Sequence, residues 1–202
     1  MTLSRRINRS LGKVPVWLVY LVGVLPPVWL FYLGVVGQLG VEPIKALEHK
    51  LGELGLQMLI VVLAVSPLRE VTGVNLMKFR RALGLICFYY ILCHLLVWLI
   101  LDVGILSQIW GDIVKRPYIT IGMVGFALMI PLAITSNNLS VRKMGGAAWR
   151  RLHKLTYAAA ILGAVHYVMV AKGFQIEPLV YLGLILGLLA FRLPRPKLAQ
   201  FS

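Results

Sequence analysis

Residues 82–101 read ALGLICFYYILCHLLVWLIL, an unbroken apolar run with no Asp, Glu, Lys or Arg and a single histidine, His94. A bilayer core of ~30 Å takes about 20 helical residues to cross. The run is continuous rather than alternating, and it is too long for the ~10-residue strand of a membrane barrel. It therefore predicts a transmembrane helix, and the rest of the chain repeats the pattern. Further apolar runs cover residues 14–36, 51–68, 118–135, 155–171 and 174–193, the run at 155 being extended at its start by 149–154. The run at 51 carries Glu53 near its start. The last is the weakest, with Glu177 and Pro178 at one end and Arg192 at the other. It is still read as a span, because an arginine at a helix end can snorkel to the interface.

The expected fold class is thus an all-α integral membrane protein, a bundle of six transmembrane helices over residues 14–193. A basic arm, 1–13, precedes it and a tail, 194–202, follows. Pro26-Pro27 and Pro131 fall inside runs and predict kinks. The first run reads as a span rather than a cleaved leader, since it exceeds an h-region of about 7–15 residues and no A-x-A site follows it. No internal repeat is visible.

Composition agrees. Of 202 residues, 59% are hydrophobic and 14% charged, with a mean hydropathy of +0.84. A soluble domain carries about 25% charged residues. A soluble enzyme, a disordered chain and a disulfide-stapled secreted domain are all excluded. The net charge of +14 would suggest nucleic acid in a soluble protein, but here the basic residues lie in short segments between apolar runs. Counted by alternate sides, sixteen fall on one side: Arg5, Arg6, Arg9, Lys13; Arg69, Lys78, Arg80, Arg81; Arg142, Lys143, Arg150, Arg151, Lys154; Arg192, Arg195, Lys197. Five fall on the other: Lys45, Lys50, Lys115, Arg116 and Lys172. The positive-inside rule then predicts both termini in the cytoplasm of a multi-pass inner-membrane protein.

Ionisable groups within a membrane mark functional sites by default. On the helix at 82–101, His94 lies 13 residues beyond Arg81; on the helix at 155–171, His166 lies 15 residues beyond Arg151. Both helices run outward, so the two imidazoles differ in depth by only ~3 Å. Two neutral imidazoles at one depth can clamp one metal, and a haem iron held between paired histidines suits a helical bundle because the flat macrocycle slots between helices. Gly163 and Ala159, three and seven residues before His166, share its face and leave room for a porphyrin. The plainer alternatives are that each histidine hydrogen-bonds a neighbouring helix, and that the small residues serve helix packing.

His153 precedes His166 by 13 residues, which places it ~20 Å away, near the cytoplasmic face, with its side chain turned about 140° from His166. It reads either as part of a second cofactor site or as an interfacial helix cap. His49, among Glu48, Lys50 and Glu53, reads as a solvated interfacial residue. Cys87 and Cys93 sit six apart on one helix and cannot pair. No C-x-x-C-H spacing is present, so a haem here is b-type. The polar stretch Thr135-Ser136-Asn137-Asn138 suits a helix cap or a headgroup contact.

The segments Leu132-Ala133-Ile134-Thr135-Ser136-Asn137, Trp149-Arg150-Arg151-Leu152-His153-Lys154-Leu155-Thr156-Tyr157 and His166-Tyr167 resemble the haem-binding membrane subunits of bacterial periplasmic methionine sulfoxide reductase systems. Pro67-Leu68-Arg69 and Arg80-Arg81-Ala82-Leu83-Gly84-Leu85 match the same family, as does His94. More broadly, the chain is similar to the ferric-reductase-like transmembrane domain. The resemblance implies a b-type cytochrome with one or two haems on His94, His166 and His153, which also carries FMN. It implies electron transfer from the quinone pool, or from a cytosolic flavin reductase, to a periplasmic molybdenum subunit, MsrP, which repairs oxidised envelope proteins. The chemistry on the sulfoxide would then lie in that partner and not in this chain. The third helix offers only His94, with Arg80 and Arg81 near the depth where a second histidine would sit. Competing readings are a cytochrome b anchor of another periplasmic oxidoreductase, a ferric reductase, and, in a different class, a cofactor-free transporter or assembly factor with the histidines as a proton relay.

Overall fold

The computed structural model describes residues 2–171 and 174–192. Among the described residues the chain is helical throughout, with no strand. Its order is α1 (Leu3–Lys13), α2 (Val16–Val35), α3 (Pro43–Thr72), a short turn of 3-10 helix (Met77–Phe79), α4 (Arg80–Leu96), α5 (Leu106–Lys115), α6 (Pro117–Ile134), α7 (Asn138–Met144), α8 (Gly146–Leu152), α9 (Leu155–Val170) and α10 (Ile176–Ala190). Four of these helical segments are long and apolar enough to cross a membrane: Val16–Val35, Pro43–Thr72, Met77–Val103 and Pro117–Ile134. The helices α9 and α10, of 16 and 15 residues, are apolar but shorter. Lys172, Leu193, Arg195 and Lys197, which entered the topology and span arguments, lie outside the described residues.

Several boundaries differ from expectation. The run at 51–68 is the apolar middle of a 30-residue helix, because Pro43 at its first position starts it early and Gly73, in the left-handed region at φ 76°, ends it. The helix containing His94 continues from α4 through a π turn over Val97–Val103, two residues beyond the expected end at Leu101. Pro26, Pro27, Pro67 and Pro131 all sit inside continuous helices. The extension of the fifth span back through residues 149–154 is corrected: α8 stops at Leu152, and a turn at His153 and Lys154 separates it from α9.

Packing is organised as two helix pairs. The helix α3 runs along α4, and α6 runs along α9, with α10 closing against α9 and α3 and α2 lying outside against α4 and α3. Within membranes such pairs associate by close backbone approach over small residues rather than by a hydrophobic driving force. Here a Cβ on Gly55 would meet the Ile91 side chain, and a Cβ on Gly125 would touch Leu162. Ala159, Ala160 and Ala164 are fully buried beside Leu56, Leu59 and Ile185. The outer surface remains apolar, with Trp17, Trp29, Val35 and Trp110 exposed, as a lipid-facing surface requires.

The contacts gather the basic segments at one end. Lys78 donates from Nζ to the carbonyls of Gly12 and Val14, both at 2.8 Å. Asn8 donates to the Gly73 carbonyl and accepts from the Asn75 amide, each at 2.9 Å. Arg81 donates to Asn138 at 2.8 Å, which ties the start of α4 to α7. The amphipathic arm α1, which carries Arg5, Arg6 and Arg9, is therefore packed on the loop that carries Lys78, and the start of α4 is tied to the segment that carries Arg142 and Lys143.

Candidate metal centre

His94 occupies the last turn of α4 and His166 the last turn but one of α9. The two helices bring their rings together across the bundle, with centroids 6.3 Å apart and planes inclined at 72°. The expectation of matched depth is met by direct proximity. A metal–nitrogen bond of about 2 Å, with the ring centroid about 1 Å behind the nitrogen, sets two imidazoles on one metal roughly 6 Å apart. The observed spacing fits.

Each ring is anchored in the same way. His94 Nδ1 lies 2.9 Å from the Glu48 carbonyl, and His166 Nδ1 lies 2.7 Å from the Tyr118 carbonyl. A carbonyl only accepts, so Nδ1 carries the proton in both rings and Nε2 presents its lone pair. That is how metal-ligating histidines are held: the second ring nitrogen donates to a fixed acceptor, which sets both tautomer and orientation.

The residues behind the rings repeat as well. Four positions after Glu48 stands Gly52, and four after Tyr118 stands Gly122. A Cβ on Gly52 would lie 3.0 Å from His94 Nδ1, and one on Gly122 would lie 2.9 Å from His166 Nδ1. Each imidazole thus packs its Nδ1–Cε1 side against a glycine and reaches the carbonyl one turn earlier. Gly55 and Gly125 follow three residues on, where the helices of each pair meet. A G-x-x-G element thus occurs in both α3 and α6, each facing its own histidine helix. It is too short to see in the sequence without knowing which helices pair.

Among the described residues no group of three or more His, Cys, Asp or Glu side chains could hold a bare metal ion. Two axial nitrogens alone suit a metal whose remaining ligands come from a macrocycle. Of the small residues expected beside His166, Ala159 is buried in the core and Gly163 faces Leu56, whose Cδ1 would lie 3.7 Å from an added Cβ. Cys87 is buried and donates to the Gly55 carbonyl at 3.4 Å; both cysteines are free. His49 is exposed, as expected.

His153 lies apart from the pair, at the basic end. Its ring stacks on Trp149 with centroids 3.8 Å apart, and Nε2 lies 3.1 Å from Thr135 Oγ1. Thr135 spends its hydroxyl hydrogen on the Pro131 carbonyl at 2.6 Å, so it accepts from His153. Trp149 donates to the Thr135 carbonyl at 2.8 Å and closes the cluster. Burial, and after it the Arg80 charge, lower the His153 pKa. The polar stretch also caps: Asn137 accepts from the Ser140 amide at 2.8 Å at the start of α7 and donates to the Ile134 carbonyl at 2.7 Å at the end of α6.

Two features escaped the sequence reading. Gln57 donates to Glu53 and to Tyr181, each at 2.8 Å, and Tyr181 donates to Glu53 at 3.2 Å, which makes a polar knot between α3 and α10. Arg192 does not snorkel outward. It turns into the bundle, donating from Nη1 to Tyr157 at 3.0 Å and from Nη2 to the Leu63 carbonyl. A tyrosine and a carbonyl one helix away are not visible in its local sequence.

Fold and site together define a helical membrane protein that holds a facing pair of histidines between two helix pairs. Residues 51–164 match the family described as ferric reductase like transmembrane component. The curated relatives include the protein-methionine-sulfoxide reductase heme-binding subunits MsrQ of Brucella ovis, Brucella canis and Brucella suis. Each is 50% identical over 188 residues, covering 93% of this chain and 85% of the relative. The chain belongs to the ferric-reductase-like transmembrane family and, within it, to the MsrQ group.

Proposed function

We infer that the chain is a b-type cytochrome subunit that carries electrons across the bacterial inner membrane to a periplasmic methionine sulfoxide reductase, MsrP. The observation that supports this most strongly is the histidine pair, 6.3 Å apart with both Nδ1 atoms engaged. The relatives' name, heme-binding subunit, supports the same cofactor. His94 and His166 would be the axial ligands, Glu48 and Tyr118 their carbonyl anchors, and Gly52 and Gly122 the surfaces that seat the rings. A haem bound there supplies a reversible one-electron couple. The residues around it keep both rings neutral and oriented, and the apolar bundle excludes water. The reading as a cofactor-free proton relay is less favoured, because a relay needs free donor and acceptor sites on each ring, whereas here both Nδ1–H groups are committed to backbone.

The reading includes six spans, with α9 and α10 as the fifth and sixth, and both termini in the cytoplasm. The gathering of α1, the loop at 73–78, α7 and Arg192 at one end supports it. A C-terminal alkaline phosphatase fusion is expected to be inactive, and a cytoplasmic reporter at the same site active. The reverse pattern would invert the assignment.

Electrons then enter at the basic end, from the quinone pool or a cytosolic flavin reductase, and leave near His94 and His166. His153 belongs to the input side. FMN, or a second haem, would sit there by family resemblance; ligation through His153 Nε2 requires its release from Thr135. The exposed charges of the 142–154 segment attract anions by long-range field. His153→Ala is expected to slow reduction by a quinol or reduced flavin about tenfold or more while the spectrum of the outer haem persists. Wild-type input rates in stopped-flow mixing would assign His153 to the interface alone.

A further inference from the structure

The connection between the helix of His94 and α6 is itself a helix. The chain leaves the bundle through the π turn that ends at Val103, bends at Gly104 in the left-handed region at φ 65°, and re-enters at Pro117, the first residue of α6. Between them α5 has ten residues. That is about 15 Å of helix, half of a bilayer crossing. A helix so short, set between the matching ends of two spans, runs along the surface of the membrane. We propose that α5 lies in the membrane interface at the His94–His166 end of the bundle, with Leu106, Trp110 and Val114 inserted into lipid.

The distribution of side chains around α5 supports this. At about 100° per residue its apolar side chains fill one arc of roughly 140°, in the order Ile109, Ile113, Leu106, Trp110, Val114. Ile109 and Ile113 are half-buried, on the helix that packs against α6 and the π turn. The rest of the arc is bare: Leu106, Trp110 and Val114 are 81%, 69% and 67% exposed among the described residues. The opposite arc carries Ser107, Gln108, Gly111, Asp112 and Lys115. One arc faces the bilayer and the other faces water. Turning the polar arc to lipid would put Asp112 and Lys115 against hydrocarbon, which is costly for charged groups. The apolar arc therefore faces lipid, the arrangement of a helix that lies on a membrane without crossing it. Trp110, in the middle of the stripe, is a residue that membrane interfaces favour. The stripe also continues the apolar exterior of the bundle, since Ile100, Leu101 and Ile105 just before it are exposed too. The register of α5 is fixed from the other side. Thr120 of α6 donates to the Ile113 carbonyl, and Asp112 pairs with Arg116 at 3.2 Å. A protein arriving from water would meet the polar arc, so a bilayer fits the stripe better than a docked partner does.

Which leaflet α5 occupies rests on the topology proposed above. That its stripe meets lipid rests only on the order and packing of the helices. Full-length protein carrying a nitroxide spin label at Val114→Cys or Lys115→Cys is reconstituted in phosphatidylcholine nanodiscs. Wild-type protein treated with the same reagent gives the background from Cys87 and Cys93. Collision with oxygen, which concentrates in lipid, is compared with collision with a water-soluble nickel chelate. The label at 114 is expected to favour oxygen and to sit about 5–10 Å below the headgroup boundary, and the label at 115 to favour the chelate. A label at 114 open to the chelate would leave the stripe in water and overturn the proposal. A label at 114 shielded from both reagents would place protein over the stripe, a second copy or a partner, and overturn it as well.

A second measurement needs no label. The emission lost on Trp110→Phe isolates the signal of Trp110, and this difference is expected to shrink when the nanodiscs contain phosphatidylcholine brominated on its acyl chains. An unchanged difference would overturn the proposal. Both readouts report position whether or not haem is bound, so failure of the electron-transfer reading would leave them standing, and their failure would leave that reading untouched.

Discussion

Purified His94→Ala and His166→Ala proteins are expected to lose nearly all low-spin haem absorbance, and His49→Ala none of it. Each ligand's partner stands on the opposite helix pair, so removing one ring leaves a single axial nitrogen and an empty space across the bundle. No other described His, Cys, Asp or Glu joins the pair in a metal-binding group, so none is placed to substitute. His49 is the right control, because it lies on α3 one residue from the Glu48 carbonyl that anchors His94 and yet is exposed. Haem-to-protein ratios from pyridine haemochromogen spectra, read beside a melting curve, separate lost ligation from lost folding. Full haem content in either alanine variant would overturn the pairing.

The second large effect is expected behind the rings. Gly122→Leu should displace His166 and cost most of the bound haem, with Gly122→Ala giving a partial loss and a shifted spectrum. The added Cβ would stand 2.9 Å from Nδ1 and 3.0 Å from Cε1, and the ring cannot retreat without leaving the Tyr118 carbonyl. Overpacking of this kind costs about 1–3 kcal/mol where neighbours give way. Here the neighbour is the ligand itself. Gly52→Ala should act on His94 in the same direction and more weakly, at 3.0 Å and 3.2 Å. Gly84→Ala, with nothing within 4 Å of the new methyl, is the matched control on the same helix as His94. Wild-type spectra for both Gly52→Ala and Gly122→Leu would show that the rings are not seated on those glycines.

How far the sequence carried this reading depended on whether a feature was local. The run at 82–101 announced a helix because length and apolarity alone decide that in a bilayer. The depth of His94 and His166 followed from residue counting along two helices, and the structure places their rings 6.3 Å apart. Gly52 and Gly122 stayed silent because their meaning lies on other helices, 42 and 44 residues from the histidines they support. Arg192 was misread for a related reason. At the end of a span a lone arginine is expected to reach for water, but Tyr157 and the Leu63 carbonyl offer it acceptors inside. The break between α8 and α9 was hidden because residues 149–154 contain neither Gly nor Pro to mark a turn. There the Thr135 hydroxyl and the Trp149 ring hold the imidazole in a turn.

The central claim, that His94 and His166 face one haem iron, is tested most directly by electron paramagnetic resonance of the oxidised His153→Ala protein, in which any haem dependent on His153 is removed. Imidazole planes inclined at 72° leave the two iron orbitals that interact with them nearly equal in energy. The expected result is a low-spin signal of the strongly anisotropic type that near-perpendicular bis-imidazole ligation produces. A high-spin signal would contradict the pairing; a low-spin rhombic signal would keep two imidazoles on one iron and contradict only their 72° inclination.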